Sequence, residues 1–459
     1  MGSGRLLHKD YSLKYYTMHH APQIPGDKFL VSVLPLIIFI TIFVSVSCTN
    51  APPVSTGSVP AIDVEVALGE ARVVDLSEIA SDIRYVPLET NASSLLRDFS
   101  QIIYEEGKLY IGMRNFKIFS NVGKYLWTFD KSGRGPGEYT YINDFYRENN
   151  TGNLIVDVYS NENITLNVYD STGLFINRKT FPFPDSVKTG ASFLLENGYM
   201  LVAAPSVSEQ RVDYWALVMD SEANVISRLK PPYSIGERGV ATGDIVVSPR
   251  SGDNRDIPNL VSNPSPFIYD MAGLIRLYSP HADTIYTINT DYGFVPVFHI
   301  GYGSIPSANE KPENTGGYGR GKYISLLPKE YKEWNQYLLL AWLMNDYSSD
   351  YHFDTLNLKN GSFIRKHTTA YGLYSKESGE FTFMKQPVQG MYGFRDDLAG
   401  GPPFIPSYIS SDGKYAVALV TPQTIEKYVN SNPEDSRFAA IAKRVSFEDN
   451  PVAVIVTLR

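Results

Sequence analysis

A unit of two short apolar strands around a tight turn recurs along this chain, and no other feature limits the fold as severely. Residues 116–141 read FKIFSNVGKYLWTFDKSGRGPGEYTY, and the first half returns as ITLNVYDSTGLFINRKTF and again as YWALVMDSEANVISRL. The spacing is about 50 residues, a period that marks stacked or ring-forming repeats. In these units the turn before the last strand carries Gly123, Gly173 and, where glycine is missing, Asn224, residue types that tolerate positive φ.

The rest of the chain supplies matching units. Residues 102–129 hold four strand candidates, QIIYE, KLYIGM, FKIFS and KYLWTF, which make one antiparallel blade. A second blade reads YINDFYR, NLIVDVY, ITLNVYD and LFINRKTF, and a third ASFLL, YMLVAA, YWALVMD and NVISRL. The fourth is interrupted by a Pro-rich insertion at 231–266 and resumes as PFIYDM, LIRLYS, DTIYTIN and FVPVFHI. After a Gly-rich insertion at 301–321, the fifth is expected to open with a helical turn at 329–334 and a strand at 337–343. It would finish with YHFDTLNL, an Asn360-Gly361 hairpin and SFIRKH. The last collects EFTFMK, PSYIS, KYAVALV, a helix near 421–429 and the terminal VAVIVTL. The expected fold is therefore all-β, a six-bladed β-propeller of four-stranded antiparallel blades. Open edges invite aggregation, so the ring has to close. The strand at 452–458 and the early strands near Val73 and Tyr85 are predicted to share one blade as its clasp.

The amino-terminal stretch gives an address. An apolar run at 29–46, FLVSVLPLIIFITIFVSV, precedes Cys48, the chain's single cysteine. Charged lead-in, apolar run and small residues follow the order of a secretory signal. Ser45-Val46-Ser47-Cys48 resembles a bacterial lipobox, which makes Cys48 a lipidation site and membrane anchor instead of a redox group; an uncleaved apolar anchor is the alternative. Residues 1–47 read as signal sequence with an upstream extension, 48–61 as a flexible tether, and 62–459 as the propeller. A lone cysteine leaves no disulfide within the chain. The formal charge of -8, with no basic stripe, excludes nucleic acid as a partner.

Together DLSEIASDIRYVPLET, GRGPGEY, YDSTGLFI, DTIYTI followed by Pro and a G-x-G segment, RDDLAGG and EDNPVAVIV resemble the six-bladed β-propeller lipoproteins of gut Bacteroidota. The resemblance covers nearly the whole chain after Ile62. It implies a lipid-anchored protein of the outer membrane, on the periplasmic side or the cell surface, associated with nutrient capture and glycan utilisation. Met113 and Arg114 stand where that family often has Asp, which predicts a missing polar contact at that corner.

Candidate chemistry concentrates on loops. With first strands innermost, the links between blades share one face, which then carries both insertions and GRGPGEY. Arg134 can fork onto a carboxylate and Glu138 can accept hydrogen bonds or a cation; alternatively both pin one blade to the next. Asp396 and Asp397 can supply oxygen ligands for calcium, the single metal the sequence suggests, or an acid and base; a turn cap is the structural alternative. Tyr302, Tyr318, Arg320 and Tyr323 make a loop suited to stacking on sugars. Beyond the amino-terminal segment the histidines, His281, His299, His352 and His367, are isolated, without metal-ligand spacing. The leading expectation is a non-catalytic envelope lipoprotein that binds a glycan or a partner protein of an uptake system. The rival is a carbohydrate-active hydrolase or lyase using Asp396, Asp397, Glu138 or His281, and a third reading is a structural envelope protein that holds other proteins.

Overall fold

The computed structural model describes residues 59–97, 99–148, 151–158, 160, 163–183, 191–195, 198–203, 206–208, 211–230, 267–271, 274–279, 282–307, 324–344, 347, 355–357, 363–365, 369–388, 390–432 and 436–459. Six antiparallel sheets are arranged as a six-bladed β-propeller. Blade one is Gln101–Glu105, Lys108–Gly112, Phe116–Ser120 and Tyr125–Phe129, each strand paired with the next. Blades two, three and four repeat that meander over 142–182, 191–229 and 267–301. First strands of neighbouring blades adjoin, blade three with four and blade six with one, which sets them around the axis.

Packing explains why the strands read as nearly continuous apolar runs. Buried side chains fall into six clusters, one at each junction between blades. Successive side chains of a strand point to opposite faces, so each blade feeds the junctions on both sides. Leu154 and Val156 pack toward blade one while Ile155 packs toward blade three. Likewise Val417 faces blade one, and Ala416 and Ala418 face blade five.

The turns before the fourth strands of blades one and two lean on the preceding blade. A Cβ at Gly123 would lie 2.2 Å from the Pro87 carbonyl oxygen, and one at Gly173 would meet the Trp127 ring at 2.9 Å. Both glycines have positive φ, so two constraints coincide there. In blade three the positive φ falls on Ala223, at 64°, and not on Asn224. Asn224 instead donates through its side chain to Asp220 Oδ2 at 3.0 Å and through its backbone to Asp220 Oδ1 at 2.9 Å, so the aspartate organises the turn.

Blade five departs from the expected strands. Its sheet is Ser325–Leu326, Tyr337–Leu343, Thr369–Ser375 and Phe381–Phe383, with Lys332–Glu333 also on Tyr337–Leu343. The helical turn is short, Pro328–Glu330. EFTFMK therefore closes blade five instead of opening blade six. Among the described residues Thr355–Asn357 and Phe363–Arg365 pair only with each other, as a separate two-stranded sheet. The junction of blades four and five is locked by Glu333, fully buried, which accepts from Arg276 at 2.9 and 3.0 Å, from Lys376 at 2.7 Å and from the Tyr331 hydroxyl at 2.7 Å. Burial works to raise this carboxyl, but Arg276 and Lys376 outweigh it and hold it below the ordinary range.

Blade six is the clasp. Its order is Tyr408–Ile409, Tyr415–Val420, Val452–Leu458 and, outermost, Ala80–Pro87 from the other end of the chain. Tyr85 lies opposite Val454, as the closure argument requires. Val73 does not join this sheet. The chain from Ala61 first runs parallel to Phe294–Gly301 on blade four and then bridges Arg72 to Met384 beside blade five. Only after that does it enter the clasp, so one strap touches the outer edges of three consecutive blades. The Pro422–Ser431 helix and a second helix, Arg437–Ala442, fill the link between the clasp's second and third strands.

Candidate functional site

First strands begin on the face that carries the links between blades, so Gln101, Ile142 and Ala191 stand at the mouth of the central channel. There the register of blade two slips between Ile142 and Asp144, leaving Asn143 as an extra residue and setting Asp144 opposite Asp157. Such bulges re-aim side chains and recur beside functional sites. Asn143 donates to Asp157 Oδ1 at 3.1 Å, and Ser192 of blade three donates to Asp157 Oδ2 at 2.6 Å. Gln101 of blade one donates to Asp144 Oδ1 at 3.1 Å and to the Phe145 carbonyl at 2.7 Å. Asp144 Oδ1 also takes the Phe145 N–H at 2.8 Å. Three blades thus place polar side chains at one point.

The two carboxyls differ. Asp157 is 2% exposed, and burial pushes it up to about 6 against the pull of Ser192 and Asn143. Asp144 keeps an open surface, yet the surrounding protein also raises its carboxyl by burial. It stands near the start of the innermost strand, where neighbouring blades converge. Deeper in, Tyr146 of blade two stacks on Phe193 of blade three at 4.9 Å, and the Tyr146 hydroxyl accepts the Leu194 N–H at 3.2 Å.

At the rim stands Tyr141, 60% exposed. The Arg114 guanidinium lies over its ring at 5.1 Å and donates to the Thr140 carbonyl at 2.6 Å. The Tyr139 hydroxyl donates to the Arg114 carbonyl at 2.7 Å. The corner expected to lack a polar contact is therefore held by Arg114 itself, whose long side chain spans what a short aspartate would have to bridge.

The residues singled out in the sequence take other places. Glu138 folds back over its own loop and accepts the Gly135 N–H at 2.7 Å, while its carbonyl receives Arg178 at 3.2 Å. The Tyr169 hydroxyl reaches the Gly137 carbonyl at 2.6 Å, so GRGPGEY ties blade one to blade two. Arg134 is exposed and makes no hydrogen bond among the described residues. Tyr302 is 8% exposed and packs in the core between blades four and five, which leaves no ring face for a sugar. Asp396 and Asp397 do not converge. Asp396 accepts the Tyr85 hydroxyl at 2.8 Å and the N–H groups of Ala399 and Gly401 at 2.8 and 2.7 Å. Asp397 takes the Ser77 N–H and hydroxyl at 3.0 and 2.5 Å, which brings it to the strap. Cys48, His281, Tyr318, Arg320 and Tyr323 lie outside the described residues, as does the 231–266 insertion. Among the described residues no group of three or more His, Cys, Asp or Glu is placed to hold a metal ion.

Two grooves lie away from the mouth. One, about 420 Å³, runs along the clasp's outer strand between Val122 and Ile441. Its strand edge is already blunted, since Arg437 donates to the Ile83 carbonyl at 3.0 Å and pairs with Asp82 at 3.5 Å. The other, about 380 Å³, separates the strap from Phe381 and Thr382 of blade five. Both sit where the strap and the clasp meet neighbouring elements.

The family described as "Domain of unknown function (DUF4934)" matches residues 59–457. No curated protein matches the chain. Among solved structures, a protein of Bacteroides fragilis NCTC 9343, provisionally described as exported, is similar over 87% of this chain and 99% of its own length, with 18% identity and a TM-score of 0.57. A member of the DUF4221 family from Bacteroides vulgatus ATCC 8482 aligns over 85% of this chain and 98% of its own, with 10% identity and a TM-score of 0.44. At 18% identity the first likeness speaks to the fold.

Proposed function

The chain belongs to this DUF4934 family, and from that premise we propose that it is an exported cell-envelope protein, lipid-anchored through Cys48, that binds a glycan at the mouth of its channel and performs no chemistry. One observation carries the binding reading. Gln101 of blade one, Asn143, Asp144 and Asp157 of blade two and Ser192 of blade three are joined by hydrogen bonds at the start of the inner strands, with the exposed Tyr141 three residues before Asp144. Ligand sites are concave surfaces with a few convergent polar groups on a rigid scaffold. The envelope reading draws on the apolar run before Cys48 and on the similar structure described as exported. A glycan is favoured over a protein partner because the converging groups are few and polar and stand with an exposed tyrosine, whereas protein partners usually cover a broad patch.

Two experiments test this reading. Cells fed an alkyne-tagged fatty acid should label the wild-type protein and not Cys48→Ala; equal labelling would remove the anchor. Hydrogen exchange of the full-length protein with envelope and dietary polysaccharides should slow at 141–146 and 192–194. No protection there with any polysaccharide would remove the binding site. The enzymatic alternative keeps less support, because Asp396, Asp397 and Glu138 are each engaged in shaping a turn or holding the strap.

A further inference from the structure

Resting on the glycan-binding reading, we infer that the mouth selects an uncharged sugar through hydroxyl donors, with Asp144 as the group that sets specificity and Tyr141 as the stacking surface. The argument is an inventory of lone pairs. Asp144 Oδ1 is occupied by the Gln101 amide and the Phe145 N–H, whereas Asp144 Oδ2 receives no donor among the described residues. Gln101 spends its Nε2 on Asp144 and on the Phe145 carbonyl, which turns its Oε1 away from both, and that oxygen likewise receives no donor there. A carboxylate oxygen and an amide oxygen are thus both left as acceptors. The complement is a pair of donors, which neighbouring hydroxyls of a sugar provide.

Charge narrows the class. The Asp144 carboxyl already suffers from its surroundings, and it sits across from Asp157 on the paired strand. An acidic or sulfated sugar would bring a further negative group beside Asp144 and Asp157, where like charges repel. Arg114, a cation at the rim, is committed to the Tyr141 ring and the Thr140 carbonyl. That same contact orients Tyr141 while leaving it 60% exposed, as a stacking platform requires.

The test is calorimetric titration of the full-length protein in detergent with size-matched neutral oligosaccharides (gluco-, manno-, xylo- and galacto-) and with galacturonan oligosaccharides. At least one neutral series should bind ten times or more tighter than the uronate. Tyr141→Ala should weaken that binding at least tenfold and Tyr141→Phe should retain it. Asp144→Asn should weaken neutral binding and raise uronate binding, shrinking the preference. Thermal melting of each variant separates lost contacts from lost fold. Preference for the uronate, or for a cationic amino sugar alone, or a signal abolished by chelating calcium, would overturn the inference. So would neutral binding that ignores both substitutions. If a polysaccharide protects the mouth from exchange yet no neutral oligosaccharide binds, the specificity fails and the binding reading survives; if nothing protects the mouth, the binding reading itself fails.

Discussion

Asp396 and Asp144 differ in everything that decides what a carboxylate does. Asp396 is buried and accepts from Tyr85, Ala399 and Gly401, so it welds the loop between blades five and six to the clasp's outer strand. Asp144 has one oxygen engaged and one that receives no donor among the described residues. The sequence draws attention to the first, as half of an acidic pair before two glycines, and hides the second inside a strand. A carboxylate surrounded by turn residues is conspicuous because the turn needs it. One that serves a ligand need leave no local trace, because what exposes it is the direction of its strand around the ring.

The closing side of the molecule should break first and hardest. Removing residues 452–459 takes out an inner strand of the clasp whose Val452, Val454, Ile455 and Val456 are all at most 1% exposed. At roughly 1.5–3 kcal/mol for each such side chain, the loss is on the order of 10 kcal/mol, comparable with the whole stability of a domain. The truncated protein should show no cooperative transition in urea. A truncated protein that melts like the intact one would refute the clasp. Asp396→Ala strands the Tyr85 hydroxyl and two backbone donors in the interior, which should cost roughly 3–5 kcal/mol. If it costs no more than a surface substitution, the contrast between the two aspartates collapses.

A smaller effect separates Asp157 from both. Its carboxyl is raised to about 6, above the ordinary value of an unfolded chain, so the folded state favours the proton. Its contribution is complete below the unfolded pKa, near pH 4, and is lost as pH rises through about 6. The loss amounts to roughly 3 kcal/mol by pH 8. Asp157→Asn, which cannot ionise, should therefore gain on the wild type between pH 4 and pH 8 in parallel denaturation series. A difference that does not change with pH would mean that Asp157 is not held protonated. Asp144→Asn should change stability least, by about 0.5 kcal/mol or less, since its carboxylate is open to solvent on one side.

How much of this was written in the sequence depends on whether the signal was local. Blades one to four were legible because strand, turn and strand repeat with matching apolar runs on both faces. The clasp was legible through Tyr85 and 452–458 because a ring must close. Val73 was misplaced because ARVVDL is apolar enough for a strand but spends its backbone on isolated bridges beside blade five. Thr355–Asn357 and Phe363–Arg365 do pair with each other, yet a hairpin signal does not say which sheet it joins, so EFTFMK was displaced by one blade. The mouth was missed for a similar reason. A bulge at Asn143 and an exposed Tyr141 mean little until the innermost strands are known. The one hint available was polar residues interrupting the apolar pattern in YINDFYR.

The most direct test of the account is hydrogen exchange of the full-length protein with and without a saturating neutral oligosaccharide, read by mass spectrometry at the two aspartates together. The account predicts slowed exchange at 101–102, 141–146 and 192–194, with 396–401 unchanged because its backbone is already sealed. Slowing confined to 396–401 or to the groove along 82–87, with the channel mouth untouched, would contradict it.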